Sequence, residues 1–148
     1  MQWDLPQPYT YKVRVDAEHV DGLHHANNAE YVRWCERAAW SHSVELGLDV
    51  SNYQSMDRGM AIRQAEYDYI LAAKESDELL IGTWLTVVDG RINMTRKFQI
   101  YRASDQALIL RATWQMVCIE LSSGKPKRMP QAFKDIYCTA VVEDPRNL

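Results

Sequence analysis

The chain has 148 residues, with 17 basic and 20 acidic side chains and a formal net charge of −3. This length fits one domain over residues 1–148, since no shift in composition divides the chain. The small negative charge provides no general attraction for nucleic acid or for an anionic membrane. The N-terminal residues lack the basic and apolar regions of a signal peptide, and no apolar run approaches a membrane span. We therefore expect a cytoplasmic protein that contacts neither nucleic acid nor membrane.

Disulfide and metal chemistry find little support in the sequence. The cysteines are odd in number and widely separated, which favours buried free thiols over a disulfide framework or a paired zinc motif: Cys35, Cys118 and Cys138. His19, His24 and His25 lie close together, but they lack the spacing of a metal site on one helix face. We expect no metal and no cofactor.

The first half of the chain predicts a strand and a long helix. Residues 9–15 alternate apolar and polar side chains, which is the pattern of a half-buried strand. Residues 28–46 contain neither glycine nor proline, and their apolar side chains recur near every 3.6 residues, as in a helix of some five turns. Asn27 fits the N-cap, with Glu30 completing a capping box, and Gly47 fits the position after the helix.

Four further strands are expected after this helix. Larger or apolar side chains alternate with polar ones over residues 61–71, which indicates a strand with one exposed face. Residues 79–88 are apolar on both faces, as in an interior strand, and Asp89-Gly90 is a strong hairpin signal. Residues 92–100 and 108–118 complete the set. The connecting turns are short, so the strands are expected to pair in antiparallel fashion.

A single amphipathic helix beside such strands must bury its apolar stripe against them. The sequence therefore predicts an α+β fold in which a curved antiparallel β-sheet wraps around one long central helix. The two ends of a half-closed sheet are edge strands, which a second copy of the chain commonly covers.

The polar segment before the helix carries the chemistry. It reads Asp21-Gly22-Leu23-His24-His25-Ala26-Asn27-Asn28-Ala29-Glu30-Tyr31 and joins a carboxylate, two imidazoles and a helix N-terminus. The unpaired N–H groups at a helix N-terminus suit an anion or a developing oxyanion. Reaction at a carbonyl carbon is therefore the first hypothesis, although Asp21 before Gly22 also fits an ordinary turn.

This segment resembles the Asp-x-x-Gly-His-Val-Asn-Asn-x-x-Tyr segment of hotdog-fold acyl-CoA thioesterases, in particular the 4-hydroxybenzoyl-CoA thioesterase-like family. Two further stretches are similar to the family's sequences, at residues 66–79 and at 124–130. His24 departs from the pattern because it stands where the family has glycine, and Leu71-Ala72-Ala73 lacks the usual proline. The resemblance covers nearly the whole chain and implies the hotdog fold.

The resemblance also implies an acyl-CoA thioesterase, which hydrolyses a thioester to a free acid and CoA. Asp21 is then the nucleophile or the general base, and the backbone N–H of Asn28 is the oxyanion donor. Such a donor contributes roughly 3 kcal/mol to the transition state, or about a hundredfold in rate. His25 either hydrogen-bonds to the carboxylate loop or the thioester, or only braces the loop. Glu36, two turns into the helix, is the alternative carboxylate.

The substrate contacts implied by the resemblance fall into two groups. The acyl pocket is expected between the helix and a neighbouring subunit's sheet, near His24 and the aromatic residues Tyr31, Trp34, Tyr67, Tyr69 and Trp84, most of which equally fit an ordinary core. The phosphates of CoA need cations, for which the candidates are Arg58, Arg91, Lys125, Lys127 and Arg128.

The expected assembly is a homodimer or a homotetramer with the active site at the dimer interface. Two alternatives to an acyl-CoA thioesterase remain open at this point. One is a hydrolase for acyl groups on acyl carrier protein, and the other is a non-catalytic binder of acyl-CoA.

Overall fold

The computed structural model describes residues 1–146, which form an antiparallel sheet with helices. The strands are β1 (Tyr9–Arg14), β2 (Arg58–Tyr69), β3 (Glu78–Val88), β4 (Asn93–Arg102) and β5 (Leu108–Glu120). The α-helices are α1 (Asn28–Leu46), α2 (Val50–Met56) and α3 (Gln131–Tyr137).

The sheet has the order β1-β3-β4-β5-β2, and all its pairs are antiparallel. β3 lies between β1 and β4, so the prediction of an interior strand is confirmed. The predicted hairpin turn is also present between β3 and β4. The carboxylate of Asp89 accepts hydrogen bonds from the backbone N–H groups of Arg91 and Asn93, and Gly90 adopts a φ of 70°.

Helix α1 begins and ends where the sequence predicts. The side chain of Asn27 accepts a hydrogen bond from the N–H of Ala29 at 3.0 Å, and Gly47 ends the helix at a φ of 113°. The predicted capping box is wrong. The N–H of Asn27 that a capping box would use donates instead to the carbonyl of His19 at 2.9 Å, and Glu30 accepts a hydrogen bond from Arg33 at 3.0 Å.

The prediction of a single helix is incomplete, because α2 and α3, of seven residues each, accompany α1. Their side chains form a second core with the ends of β3, β4 and β5, whose buried members include Leu48, Tyr53, Leu85, Met94, Phe133 and Tyr137. The first core lies between α1 and the sheet and includes Trp34, Cys35, Ala38, Ile81, Phe98 and Leu110. The first core therefore holds α1 against the sheet, and the second core meets α1 at Leu46, its last residue.

The N-terminal segment covers another part of the sheet. The Trp3 ring meets the rings of Trp84 and Tyr101 edge to face, with centroid distances of 5.9 and 5.0 Å. Gly82 lies beneath it, and a Cβ at this position would come within 2.5 Å of the Trp3 ring. Trp84 is therefore packed under the N-terminal segment, and its predicted place in the acyl pocket is wrong.

Strand β2 is the outermost strand beyond β5, and one of its hydrogen-bonding edges has no partner within residues 1–146. The prediction that it exposes only one face is wrong. Residues 62–66 are exposed throughout, so both faces of this stretch are open. An edge strand with two open faces is incompletely covered by its own chain.

The remaining general predictions concern thiols and membranes. Cys35 and Cys118 are buried free thiols, as predicted, whereas Cys138 is partly exposed. Burial raises the pKa of the Cys35 thiol far above its usual range, which makes it unreactive. Within residues 1–146, no helix combines the length and the apolar character that crossing a membrane requires.

Candidate active site

Asp21 lies in a tight turn that its own side chain stabilises. Its Oδ1 atom accepts hydrogen bonds from the N–H groups of Leu23 at 2.8 Å and His25 at 3.3 Å. The turn is fixed to the rest of the protein through the N–H of Ala26, which donates to the carbonyl of Ala73 at 2.8 Å. No residue of the described chain donates to Oδ2 of Asp21. One oxygen thus holds the loop, and the other is free for chemistry.

His24 completes this turn in a conformation that explains the family's glycine. Its N–H donates to the carbonyl of Asp21 at 3.0 Å, and its φ is 62°. This left-handed region is open to glycine without cost, whereas an L side chain pays about 1–2 kcal/mol there. The His24 side chain is exposed. His24 therefore occupies a strained position beside the candidate carboxylate.

Asn28 is the first residue of α1 and directly follows the cap. The side chain of Asn27 is used by Ala29, and no acceptor within residues 1–146 meets the N–H of Asn28. This N–H group is one of those that a helix cannot satisfy internally. Asn28 is exposed, so an external acceptor can reach the backbone here.

The histidines around the turn have mainly structural contacts. His25 is half-buried and contacts Asp21 through its backbone N–H. The Nδ1 atom of His19 accepts a hydrogen bond from the N–H of Asp16 at 2.9 Å, and its ring packs on Trp34. In the part of the chain that is described, no three histidine, cysteine, aspartate or glutamate side chains come together as a metal site would require.

The two tyrosines predicted to contact substrate make specific internal bonds. Tyr31 is buried, and its hydroxyl accepts a hydrogen bond from the N–H of Ala73 at 2.9 Å, so it anchors the segment that holds the Asp21 turn. Tyr67 is half-buried, and its hydroxyl accepts from Nε1 of Trp114 at 2.7 Å. Burial raises the pKa of Tyr67 to about 12, so the phenol stays protonated at neutral pH.

The predicted cations Arg58, Arg91, Lys127 and Arg128 come together, and we call them the basic cluster. Nε of Arg58 donates to the carbonyl of Arg128, and the residue after Arg128 donates its N–H to the carbonyl of Arg91 at 2.7 Å. Glu120 offsets part of this charge, because it accepts a hydrogen bond from Lys127 at 2.6 Å and lies 4.0 Å from Arg58. Arg91, Lys127 and Arg128 are exposed.

The basic cluster and the Asp21 turn lie at opposite ends of the sheet. The cluster is at the Arg58 end of β2, whereas the turn is bound to Ala73, just beyond the Tyr69 end. The 12 residues of β2 cover about 36 Å at roughly 3.3 Å per residue. A single chain therefore does not bring these two predicted parts of the site together.

A cavity that the sequence did not predict lies between α1 and the sheet. Its volume is about 270 Å³, and its lining comes from α1, α2, β2, β4, β5 and α3: Glu36, Ala39, Trp40, Ser43, Tyr53, Met60, Ile62, Met94, Arg96, Trp114, Met116 and Tyr137. We call it the α1 cavity. Trp40 and Ile62 are about 40% exposed and mark its mouth, whereas Arg96 and Tyr137 are buried and mark its inner end.

Arg96 is the buried charged group of the α1 cavity. One terminal nitrogen, Nη1, donates to Nδ1 of His42 at 2.9 Å and to Oγ1 of Thr83 at 3.1 Å. Burial lowers the pKa of Arg96 to about 10, so the guanidinium remains charged at neutral pH. Burial, and then the charge of Arg96, lowers the pKa of His42 to about 4, so this imidazole is neutral and accepts the bond.

A signal for Arg96 is present in the sequence. The alternation that predicts β4 places Arg96 in the same inward phase as its apolar neighbours, Ile92, Met94, Phe98 and Ile100. A charged side chain in the inward phase of a strand is rarely buried unless it is paired. This break in the pattern is the feature that identifies the inner end of the cavity.

An antiparallel sheet with one long helix packed on it is the arrangement of the hotdog fold. The chain belongs to the thioesterase-like superfamily, whose family model matches residues 15–136. The resemblance to hotdog-fold thioesterases is thereby confirmed, and the family assignment makes the protein a thioester hydrolase.

Individual relatives are distant in sequence but cover nearly the whole chain. The acyl-CoA thioesterase YbgC of Haemophilus influenzae is 24% identical over 134 residues, which are 90% of this chain and 96% of that protein. The structure of Slr0204, a 1,4-dihydroxy-2-naphthoyl-CoA thioesterase from Synechocystis, matches with a TM-score of 0.79 at 24% identity, covering 89% of this chain and 96% of that one. SAV2348 from Staphylococcus aureus, solved in complex with CoA, matches with a TM-score of 0.82 at 14% identity. The match covers 93% of this chain and 87% of that one.

Proposed function

We propose that this protein is an acyl-CoA thioesterase that uses the Asp21 turn and the N-terminus of α1 as its catalytic centre. The observation that carries the proposal is the pairing of two unused groups at one junction. These are the Oδ2 atom of Asp21 and the N–H of Asn28, neither of which has a partner within residues 1–146. The names of the Haemophilus and Synechocystis relatives support a CoA thioester as the substrate.

The proposed reaction uses these groups in separate roles. The thioester carbonyl oxygen accepts a hydrogen bond from the N–H of Asn28, which stabilises the negative charge that develops there. The Asp21 carboxylate either removes a proton from the attacking water or attacks the carbonyl carbon itself, in which case water then hydrolyses the mixed anhydride. In both routes the carbon–sulfur bond breaks, and the sulfur leaves as the CoA thiol after taking a proton.

The complete site is proposed to form in a dimer joined through β2. A strand that pairs with its own copy about a two-fold axis runs antiparallel to it. The Arg58 end of one β2 then lies beside the Tyr69 end of the other. This arrangement brings the basic cluster of one copy toward the Asp21 turn of the second copy, where the cluster can hold the phosphates of CoA.

Asp21→Asn is the variant that tests the catalytic role. Asparagine keeps a side-chain oxygen for the N–H groups of Leu23 and His25, so the turn survives while the negative charge is lost. Release of CoA from short, medium, long and aromatic acyl-CoAs is measured with a thiol reagent. We expect kcat/KM to fall by at least about a hundredfold for every substrate that the parent cleaves.

Glu36→Gln is the matched control, because it removes the alternative helix-borne carboxylate by an equally small change. Because Glu36 lines the α1 cavity but is not assigned to the reacting carbonyl, its loss is expected to lower kcat/KM much less than Asp21→Asn does, by at most about tenfold. A large loss in Glu36→Gln with none in Asp21→Asn would transfer the catalytic role to Glu36. Cleavage of acyl groups from carrier protein but not from CoA would change the substrate class, and no cleavage of any thioester would leave a binding protein.

A further inference from the structure

Arg96 carries a buried positive charge that its own chain does not neutralise. The residue is 2% exposed, and among residues 1–146 its Nε atom has no hydrogen-bond partner. Its two partners, His42 and Thr83, are both neutral, and no carboxylate of the described chain forms an ion pair with it. A buried charge without a counter-ion is unfavourable, so this arrangement favours any ligand that brings an anion.

The α1 cavity around Arg96 has the shape and chemistry for a short chain with one charged end. Much of its lining is apolar, including Met60, Met94, Trp114 and Met116, whereas the exposed Glu36 carboxylate lines its solvent side. A cavity of about 150 Å³ holds a benzene molecule, so the 270 Å³ available here fit a short or single-ring group. An apolar cavity with a guanidinium at its inner end favours a ligand that has an apolar chain and an anionic group at its far end.

The other polar groups at the inner end are already satisfied. The hydroxyl of Ser43 donates to the carbonyl of Leu48 at 2.7 Å and is 2.6 Å from the hydroxyl of Tyr137, which in turn contacts the hydroxyl of Tyr53. These hydroxyls form a closed chain of hydrogen bonds among themselves. Arg96 is therefore the group at the inner end with an unused donor.

We propose that the α1 cavity binds the acyl part of the substrate and that Arg96 pairs with a carboxylate at its far end. The substrate class is then a CoA thioester of a short dicarboxylic acid, and Arg96 is a specificity residue. This inference rests on the proposed thioesterase function, because it assigns the acyl group of that same reaction. A neutral acyl end would enter the cavity without compensating the charge of Arg96.

The position of the cavity determines which thioester reaches it. Glu36, at the cavity, lies eight residues after Asn28, which is about 12 Å along the helix axis. A short acyl group held at Asn28 does not span this distance and still reach Arg96. The cavity opens beside β2, at Met60 and Ile62, so in the β2 dimer it receives the acyl group of a thioester held at the second copy's helix N-terminus.

Turnover of matched substrates tests the proposal. Glutaryl-CoA and pentanoyl-CoA have equal chain lengths and differ in the terminal carboxylate. We expect the parent to show a kcat/KM at least about tenfold higher for glutaryl-CoA, and Arg96→Met to reverse this preference. Arg96→Lys keeps the positive charge and is expected to retain part of the preference for glutaryl-CoA. Met94→Leu, in the same cavity, serves as the control and is expected to affect both substrates equally.

Binding of two thioethers that cannot be hydrolysed separates this inference from the catalytic proposal. S-(4-carboxybutyl)-CoA and S-pentyl-CoA are titrated while tryptophan fluorescence is measured, because two of the five tryptophans, Trp40 and Trp114, line the cavity. We expect at least about tenfold tighter binding of the carboxylated compound to the parent and none of this difference in Arg96→Met. That result without any thioester turnover would uphold the cavity assignment and defeat the catalytic one. Rapid turnover with no carboxylate preference in either assay would uphold the catalytic proposal and contradict the cavity assignment.

Discussion

The Asp21 turn and the α1 cavity differ in how the chain builds them. The turn is made by consecutive residues, and its hydrogen bonds run between neighbours such as Asp21, Leu23 and His25. The cavity takes its lining from six separate helices and strands. The turn is exposed, whereas the inner end of the cavity is buried. The proposed reactive groups are thus a local property of the sequence, and the proposed acyl-binding groups are a property of the whole fold.

The two regions also leave different kinds of groups unsatisfied. In the turn, a carboxylate oxygen and a backbone N–H face solvent, where lacking a protein partner costs little. In the cavity, Arg96 lacks a counter-ion in a buried place, where the cost is large. This difference agrees with the two proposals, in which the turn acts on the thioester group and the cavity discriminates among acyl groups.

The largest expected effect tests whether the two regions act across the dimer. Asp21→Asn and Arg96→Met chains are expressed together, so that one site of each mixed dimer combines an intact turn with an intact cavity. With random pairing we expect about one quarter of the parent's glutaryl-CoA turnover per chain, well above either variant alone. The measurement is the rate of CoA release from the mixed sample.

Co-expression of Asp21→Asn with the parent chain provides the control for this experiment, since about half of the parent rate is expected whichever chain supplies the cavity. The co-expressed Asp21→Asn and Arg96→Met chains are compared with the average rate of the two variants expressed alone. If co-expression gives no higher rate, the turn and the cavity of one site belong to the same chain. That outcome would contradict the cross-subunit placement.

The second prediction separates ligand recognition from structural support. Replacing Arg96 with methionine removes a buried charge without a counter-ion, at the loss of its bonds to His42 and Thr83. We expect the free energy of unfolding to stay equal or to rise by up to about 2 kcal/mol in urea denaturation. A fall of more than about 2 kcal/mol would identify Arg96 as a brace between α1 and the sheet.

The difference between the two regions also explains what the sequence could predict. Asn27, Gly47 and the Asp89 turn act through neighbours along the chain, so the helix ends and the hairpin are visible as local patterns. The Asp21 turn is equally local, because its hydrogen bonds join residues two and four positions apart. The proximity of this carboxylate to a helix N-terminus can therefore be predicted from the order of the residues alone.

The features that were missed depend on distant residues. The capping box failed because the N–H of Asn27 donates to the carbonyl of His19, eight residues earlier in the chain. The exposure of both faces of β2 follows from its position at the sheet edge. Helices α2 and α3 are short, and their stability comes from the shared core rather than from a long periodic pattern. Arg96 left a break in an alternating strand, but only the fold shows what surrounds it.

The third prediction concerns strain in the turn. His24 has a φ of 62°, a region that β-branched side chains strongly disfavour. His24→Val is therefore expected to lower the free energy of unfolding by about 1–2 kcal/mol. His24→Gly is the matched control and is expected to stay within about 1 kcal/mol of the parent, because glycine removes the strain but also gains freedom when unfolded. Equal stabilities of the two variants would argue against backbone strain at this position.

The smallest effect is a pH dependence confined to the cavity region. Burial and Arg96 hold the pKa of His42 at about 4, against an ordinary value of 6.5, and its ring stacks on Tyr9. Because the folded state disfavours protonation, this contribution to stability is complete above pH 6.5 and is lost as the pH falls toward 4. His42→Asn keeps an acceptor for Arg96 but does not titrate. Between pH 7.5 and 4.5, unfolding in urea should show the parent losing about 1 kcal/mol more than the variant, after allowance for partial exposure. A parallel decline of the two proteins would mean that His42 is already free to accept a proton in the folded state.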